Sequence, residues 1–171
     1  LSSLVSAGFN IGWANKSINQ SKLKFPDQFD GKFFDNSLPT TVILNTNNVS
    51  YLDVQAGMNY AYFPQENIYI NGGYSIQHVN SPKQTFFNDN SNNGRIPMRH
   101  TGFVNAILKM NDRVIINPNA YFSTQARATE LVFGINANYN LADFGEKQLL
   151  AGIYYRLGDA IVPMVGLEVA K

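Results

Sequence analysis

The sequence predicts an all-β fold, an antiparallel transmembrane β-barrel with about eight strands in this chain. Three observations carry that expectation. Apolar and polar residues alternate with period two in segment after segment. Side chains alternate faces along a strand, so each segment presents one apolar and one polar face. The polar faces are made of Gly, Asn, Ser and Gln rather than Lys and Glu, and charged residues are only 15% of the chain, against ~25% in soluble domains. Aromatic residues gather near segment ends, at Trp13, Tyr51, Tyr62, Phe63, Tyr139 and Tyr155. Such rings form girdles at the two interfaces of a membrane barrel.

Bulk properties narrow the class further. The 171 residues form one region, 1–171, and 44% apolar content excludes a disordered chain. A net charge of +1 gives no nucleic-acid footprint. There are no cysteines, which removes disulfides and thiolate metal sites. No uninterrupted apolar run approaches the roughly 20 residues of a membrane helix. Leu1 is not a start residue, so the chain reads as truncated.

The clearest element is the hairpin at 147–171, which turns at Gly158-Asp159. Leu149, Ala151, Ile153 and Tyr155 share one face before the turn; Ile161, Pro163, Val165, Leu167 and Val169 share one after it. Earlier segments repeat the pattern. Residues 4–14 put Val5, Phe9, Ile11 and Trp13 on one side, and 50–63 do so with Leu52, Val54, Met58 and Tyr60. Residues 68–78, 99–110, 113–125 and 130–140 follow suit, and 141–146 holds a brief turn. Pro118 and Pro163 fall inside strand patterns, where proline cannot donate to the ladder, and are read as bulges or strand starts.

Two long polar connections, about 16–48 and 79–97, fall on one end of the strands. Short turns at 64–67 and 111–112 fall on the other. Outer-membrane barrels show this asymmetry, with long loops outside. Strand parity also puts the tight turn at 158–159 on the long-loop end. The alternative fold is a soluble β-sandwich, whose strands alternate equally.

Little in the sequence points to chemistry. His78 and His100 border the second loop without metal-ligand spacing, and fit loop hydrogen bonding. There is no GxSxG motif, so no catalytic residues and no cofactor are expected. Arg99, Glu130 and Arg156 fall on the polar face, where opposed charges would form one lumenal network. Phe25, Phe29, Phe33, Phe34, Phe86 and Phe87 sit on the polar loops. Exposed aromatics of this kind anchor partners; the other reading is that they fold back and plug the barrel mouth.

In ordered pieces through nearly the whole chain, the sequence resembles the PorP/SprF family of Bacteroidetes. The pieces include SAGFNIGWANKSINQSKLKFPDQFDG at 6–31, YLDVQAGMNYAYFP at 51–64 and IQHVNSPKQTFF at 76–87. RIPMRHTGF at 95–103, INPNAYFSTQARATELVFG at 116–134 and YYRLGDAIVPMVGLE at 154–168 complete them. The resemblance implies a non-enzymatic outer-membrane barrel of the type IX secretion and gliding motility apparatus. Its implied partners are outer-membrane lipid, periplasmic ring or lipoprotein components, and the C-terminal domain of a secreted surface adhesin. Family members look larger, which implies strands before Leu1 and after Lys171. Arg95, Pro97, Met98, Gln125, Gly134 and Asp159, with the three charged residues above, come nearest to a signature, and their implied role is structural. The alternative function is a pore for small solutes, favoured by the polar lumen.

Overall fold

The computed structural model describes residues 2–87, 94–141 and 147–169. Eight strands form one antiparallel sheet in chain order. They are β1 (Ser2–Ser17), β2 (Asn48–Gln65), β3 (Ile68–Gln77) and β4 (Arg99–Lys109), then β5 (Val114–Gln125), β6 (Ala128–Asn140), β7 (Lys147–Arg156) and β8 (Ala160–Val169). Each strand pairs with its sequence neighbours, leaving β1 and β8 at the two edges of an open sheet.

Register turns eight separate alternations into two continuous faces. One row runs Ala7, Met58, Tyr74, Gly102, Phe122 and Leu131 across β1 to β6. Another runs Val104, Ala120, Phe133, Tyr155 and Ile161 across β4 to β8. A slip of one residue would send a strand's apolar set to the wrong side; the sheet makes no such slip through β1 to β8, apart from one bulge near the end of β2.

The apolar face is the open one. Phe9 is 81% exposed, Ile153 53% and Ile135 44%. The opposite, polar face is more shielded: Asn71, Asn105, Asn119 and Asn136 are all half-buried. Ala61, only 3% exposed, also lies on that face. No large side chain is fully buried among the described residues. A water-soluble sandwich does the reverse and needs a second sheet to bury its apolar faces. The β-sandwich alternative is therefore discarded. Mid-sheet, the apolar band of β6 runs from Leu131 to Tyr139. At ~3.3 Å per residue this is roughly 26 Å of strand, the scale of a tilted crossing of the hydrocarbon layer.

The prolines behave differently from expectation. Neither marks a bulge or a strand start. Around Pro118 the ladder of β5 to β4 stops after Asn105↔Asn119 and resumes at Leu108↔Ile116 in the same register. A residue in an antiparallel strand sends its N–H and C=O to the same neighbour. Pro118 has no N–H to send to β4, while its pairing with Ile135 of β6 is intact. Pro163 pairs with Ile153 without any shift and lies in edge strand β8, where proline is tolerated. The bulge comes instead between Tyr62 and Gln65, around Pro64. Two of the expected girdle rings, Tyr51 and Phe63, lie on the polar face, because their register partners Ala14 and Ser2 do.

The connections at residues 18–47, 78–98, 126–127 and 157–159 share one end of the sheet; those at 66–67 and 110–113 share the other. The brief turn expected at 141–146 lies, after Leu141, outside the described residues, as do 88–93 of the second loop. The tight turn Ala126-Arg127 had no glycine to announce it. Both residues have positive φ, 49° and 71°. A two-residue hairpin needs this primed geometry to match strand twist, and here it is met by residues that adopt it at a cost.

Candidate functional site: lumenal face and long-loop end

The polar face carries a belt of side-chain amides. Asn71, Asn105, Asn119, Gly134 and Tyr154 stand directly opposite one another on β3 to β7. Asn105 donates from Nδ2 to Asn71 Oδ1 at 3.1 Å, and Asn71 reaches Asn59 Oδ1 at 3.5 Å. Asn119 donates to the Tyr154 hydroxyl at 3.2 Å, which in turn donates to Asn136 Oδ1 at 3.4 Å. A parallel chain runs from Asn117 to Asn138 at 3.3 Å and on to Gln148 at 3.2 Å. Amides carry both donors and acceptors, so a row of them can satisfy itself without net charge.

Glycine makes part of this belt possible. Tyr154 reaches Asn119 by lying across β6 over Gly134. A Cβ at Gly134 would meet the Ile153 carbonyl oxygen first, then Tyr154 Cδ1 at 2.5 Å and Tyr154 Cα at 2.8 Å, so backbone and ring together fill the space. Gly73 is covered in the same way by the ring of Phe103, whose Cε1 would lie 2.6 Å from an added Cβ. Aromatic cover of a strand glycine pins register on a sheet face.

Above the belt, towards the long loops, lie the charged residues. Arg156 Nε holds Glu130 Oε1 at 3.1 Å, and its Nη1 holds Asp159 Oδ2 at 3.1 Å. Arg99 does not join them by an ion pair. Its Nε donates to Ser123 Oγ at 3.0 Å and its Nη2 to the Tyr121 hydroxyl at 3.1 Å. Ser123 pairs directly opposite Glu130, so the three residues share one neighbourhood but only two of them touch. Gln125 donates to the Pro97 carbonyl at 3.0 Å, which ties the second loop to the sheet, and Arg95 donates to the Ser81 carbonyl at 2.9 Å within that loop.

The histidines part company. His78 Nδ1 meets Asp53 Oδ1 at 2.8 Å on the polar side, with φ of 57° at the strand exit. His100 lies on the apolar face, 2.6 Å from the Tyr74 hydroxyl. Facing opposite sides of one sheet, the two cannot share a ligand. Tyr51 donates to Gln84 Oε1 at 3.1 Å and Asn80 Nδ2 to the Leu52 carbonyl at 2.7 Å, so the second loop is sewn along β2.

The first loop, read from sequence as a polar connection carrying four of the candidate partner-binding phenylalanines, has an architecture of its own. Gln28, 5% exposed, is its centre. It accepts from Phe25 N–H at 3.1 Å and donates to the Leu38 carbonyl at 2.9 Å. Three aspartates then close its turns. Asp27 accepts from the N–H and hydroxyl of Thr41 at 2.7 and 2.9 Å. Asp30 accepts from Lys32 and Phe33 N–H groups, both at 2.7 Å, and Asp35 from Ser37 N–H and Oγ at 2.8 and 2.7 Å. These bonds favour the charged carboxylates and pull all three pKa values down: Thr41 N–H is the main cause for Asp27, Phe33 N–H for Asp30 and the Ser37 hydroxyl for Asp35. The two loops meet where Asn45 N–H donates to the Phe86 carbonyl at 2.8 Å.

Of the loop phenylalanines, Phe25 and Phe86 are half-buried within this architecture. Phe29, Phe33, Phe34 and Phe87 are exposed, with Phe33 at 73%. Phe29 and Phe34 bridge through their backbones and bring their rings to 5.1 Å. The result is a compact aromatic knob on the first loop.

An outward apolar face, a shielded polar face and hairpins throughout define the wall of a membrane-spanning β-barrel. No helix among the described residues is long and apolar enough to cross a membrane. The family model of the type IX secretion system membrane protein PorP/SprF matches residues 2–171, and the chain belongs to that family. No curated protein and no solved structure matches the chain. It is thus a membrane component of the type IX secretion system.

Proposed function

We propose that this chain is a non-enzymatic outer-membrane anchor of the type IX secretion and gliding apparatus. On this reading the barrel wall fixes the protein in the outer membrane, and a loop-bearing end docks a partner. That partner is the C-terminal domain of a secreted surface adhesin, or a periplasmic ring or lipoprotein component. The supporting observation is the first loop, a self-bonded platform whose Phe29, Phe33 and Phe34 side chains are exposed. A loop that only bridged two strands would not need such internal order. Aromatic side chains, Phe among them, are enriched in the cores of protein interfaces.

The test is capture of secretion components from envelope extracts by the detergent-solubilised chain, compared with a Phe29→Ser/Phe33→Ser variant. Loss of one specific partner in the variant supports docking; capture unchanged refutes it. A second reading, a pore for small solutes, draws on the uncharged amide belt of the polar face. Steady ion conductance in planar bilayers would favour the pore, and a closed bilayer the anchor.

A further inference from the structure

The charges of the long-loop end are unevenly used. The three aspartates of the first loop are bound to its own N–H and hydroxyl groups. Asp53 is held by His78 and by Gln55 Nε2 at 3.2 Å. Glu130 and Asp159 are both held by Arg156. So among the described residues every carboxylate at this end has an intramolecular partner. The cations do not match them. Lys16, Lys22, Lys24, Lys32 and Arg127 are all exposed and have no partner among the described residues.

Position adds a second observation. β2 pairs with β3 only from Ala56 onward, so Asn48 to Gln55, with their β1 partners, run on beyond β3. At ~3.3 Å per residue that is roughly 26 Å of extra hairpin. Lys22, Lys24 and Lys32 lie on the loop that this hairpin carries, the same loop that exposes Phe29, Phe33 and Phe34. The outward apolar residues of this hairpin run up to Trp13 and Leu52, 69% and 51% exposed, so Asn48 to Tyr51, roughly 13 Å at ~3.3 Å per residue, lifts the loop past the apolar band.

We propose that the first loop recognises an acidic polypeptide segment in which carboxylates alternate with apolar or aromatic side chains. The proposal rests on the docking reading above and names the chemistry of its partner. The aspartates face the loop's own N–H and hydroxyl groups and form no ion pair with Lys22, Lys24 or Lys32, so the ammonium groups stay available to a partner's carboxylates. The phenylalanines supply contact area and the lysines select against basic partners, since like-charge juxtaposition is strongly disfavoured.

The probe is a labelled peptide of alternating Glu and Phe, with its Lys-Phe counterpart as control, read by anisotropy on the full chain in nanodiscs. We expect the acidic peptide to bind on the order of tenfold or more tighter, with the difference lost at high salt. A Lys22→Gln/Lys24→Gln/Lys32→Gln variant loses that preference; these side chains make no bonds, so the loop keeps its fold. Equal binding of the two peptides, or a preference untouched by salt or by the variant, overturns the proposal. So does a preference that appears only when the nanodisc lipid is anionic, which would assign the lysines to headgroups. Capture of secretion components separates the two layers. If the Lys variant captures normally and the Phe29→Ser/Phe33→Ser variant does not, docking stands and the acidic class falls; if both capture normally, docking itself falls.

Discussion

Replacing Ile135 by Arg tests which way the sheet faces. Ile135 is the middle of five outward residues on β6, from Leu131 to Tyr139, and is flanked by Pro118 and Ile153 on its neighbours. It is therefore at mid-depth in the apolar band. An Arg at the midplane of a barrel's lipid face costs about 2–4 kcal/mol, falling to about 0–1 near the interfaces. At about 1.4 kcal/mol per decade this is roughly a 30- to 700-fold loss in the folding constant. The same substitution at Tyr139, at the band's edge, should cost the lower amount. On a water-facing surface a residue as exposed as Ile135 would tolerate Arg within about 0.5 kcal/mol. The assay is reversible unfolding by denaturant in lipid bilayers, comparing Ile135→Arg with Tyr139→Arg. A cost that is negligible or flat with depth would refute the assignment of this face to lipid.

Four further outcomes follow from the same geometry. Gly134→Val should press against the Ile153 carbonyl and against the ring and Cα of Tyr154, loosen the Tyr154–Asn119 bond and cost about 1–3 kcal/mol, typical of overpacking; unchanged stability would mean that β7 does not pack so closely over Gly134. A double-mutant cycle on Arg156 and Glu130 should give a favourable coupling that shrinks with added salt, because both side chains are partly exposed; zero coupling removes the pair. Ala126→Asn should stabilise the β5–β6 hairpin by about 0.5–1 kcal/mol, since Asn accepts positive φ more readily, with thermal unfolding as the check. The aspartates of the first loop have lowered pKa values, so their contribution is complete above the ordinary value of 3.8 and is lost as pH falls below it through the lowered values. Amide exchange of the 18–47 loop should therefore stay protected near neutrality and accelerate, beyond its intrinsic pH dependence, only under acid conditions; opening well above that range would contradict the assignment.

Alternation made the strands and their faces readable. Phe9, Ile135 and Ile153 were placed on the apolar side from spacing alone, since side-chain period is a property of a single strand. Glycine and short polar pairs likewise announced the turns at 111–112 and 158–159. Ala126-Arg127 escaped because its geometry comes from hairpin twist and not from residue type. The amide-rich faces were visible as composition, but the belt was not. Asn71, Asn105 and Asn119 become neighbours only through the register of three strands.

What the sequence determined alone is the all-β class, the two-faced strands, the unequal loops and the resemblance to PorP/SprF. Tertiary structure decided the rest. It placed Arg99 on Ser123 and Tyr121 instead of Glu130, laid Tyr154 over Gly134, and folded the first loop around Gln28. The reason is range. Periodicity is written within about ten residues of chain, whereas each of those contacts joins side chains whose separation depends on cross-strand pairing or on loop closure.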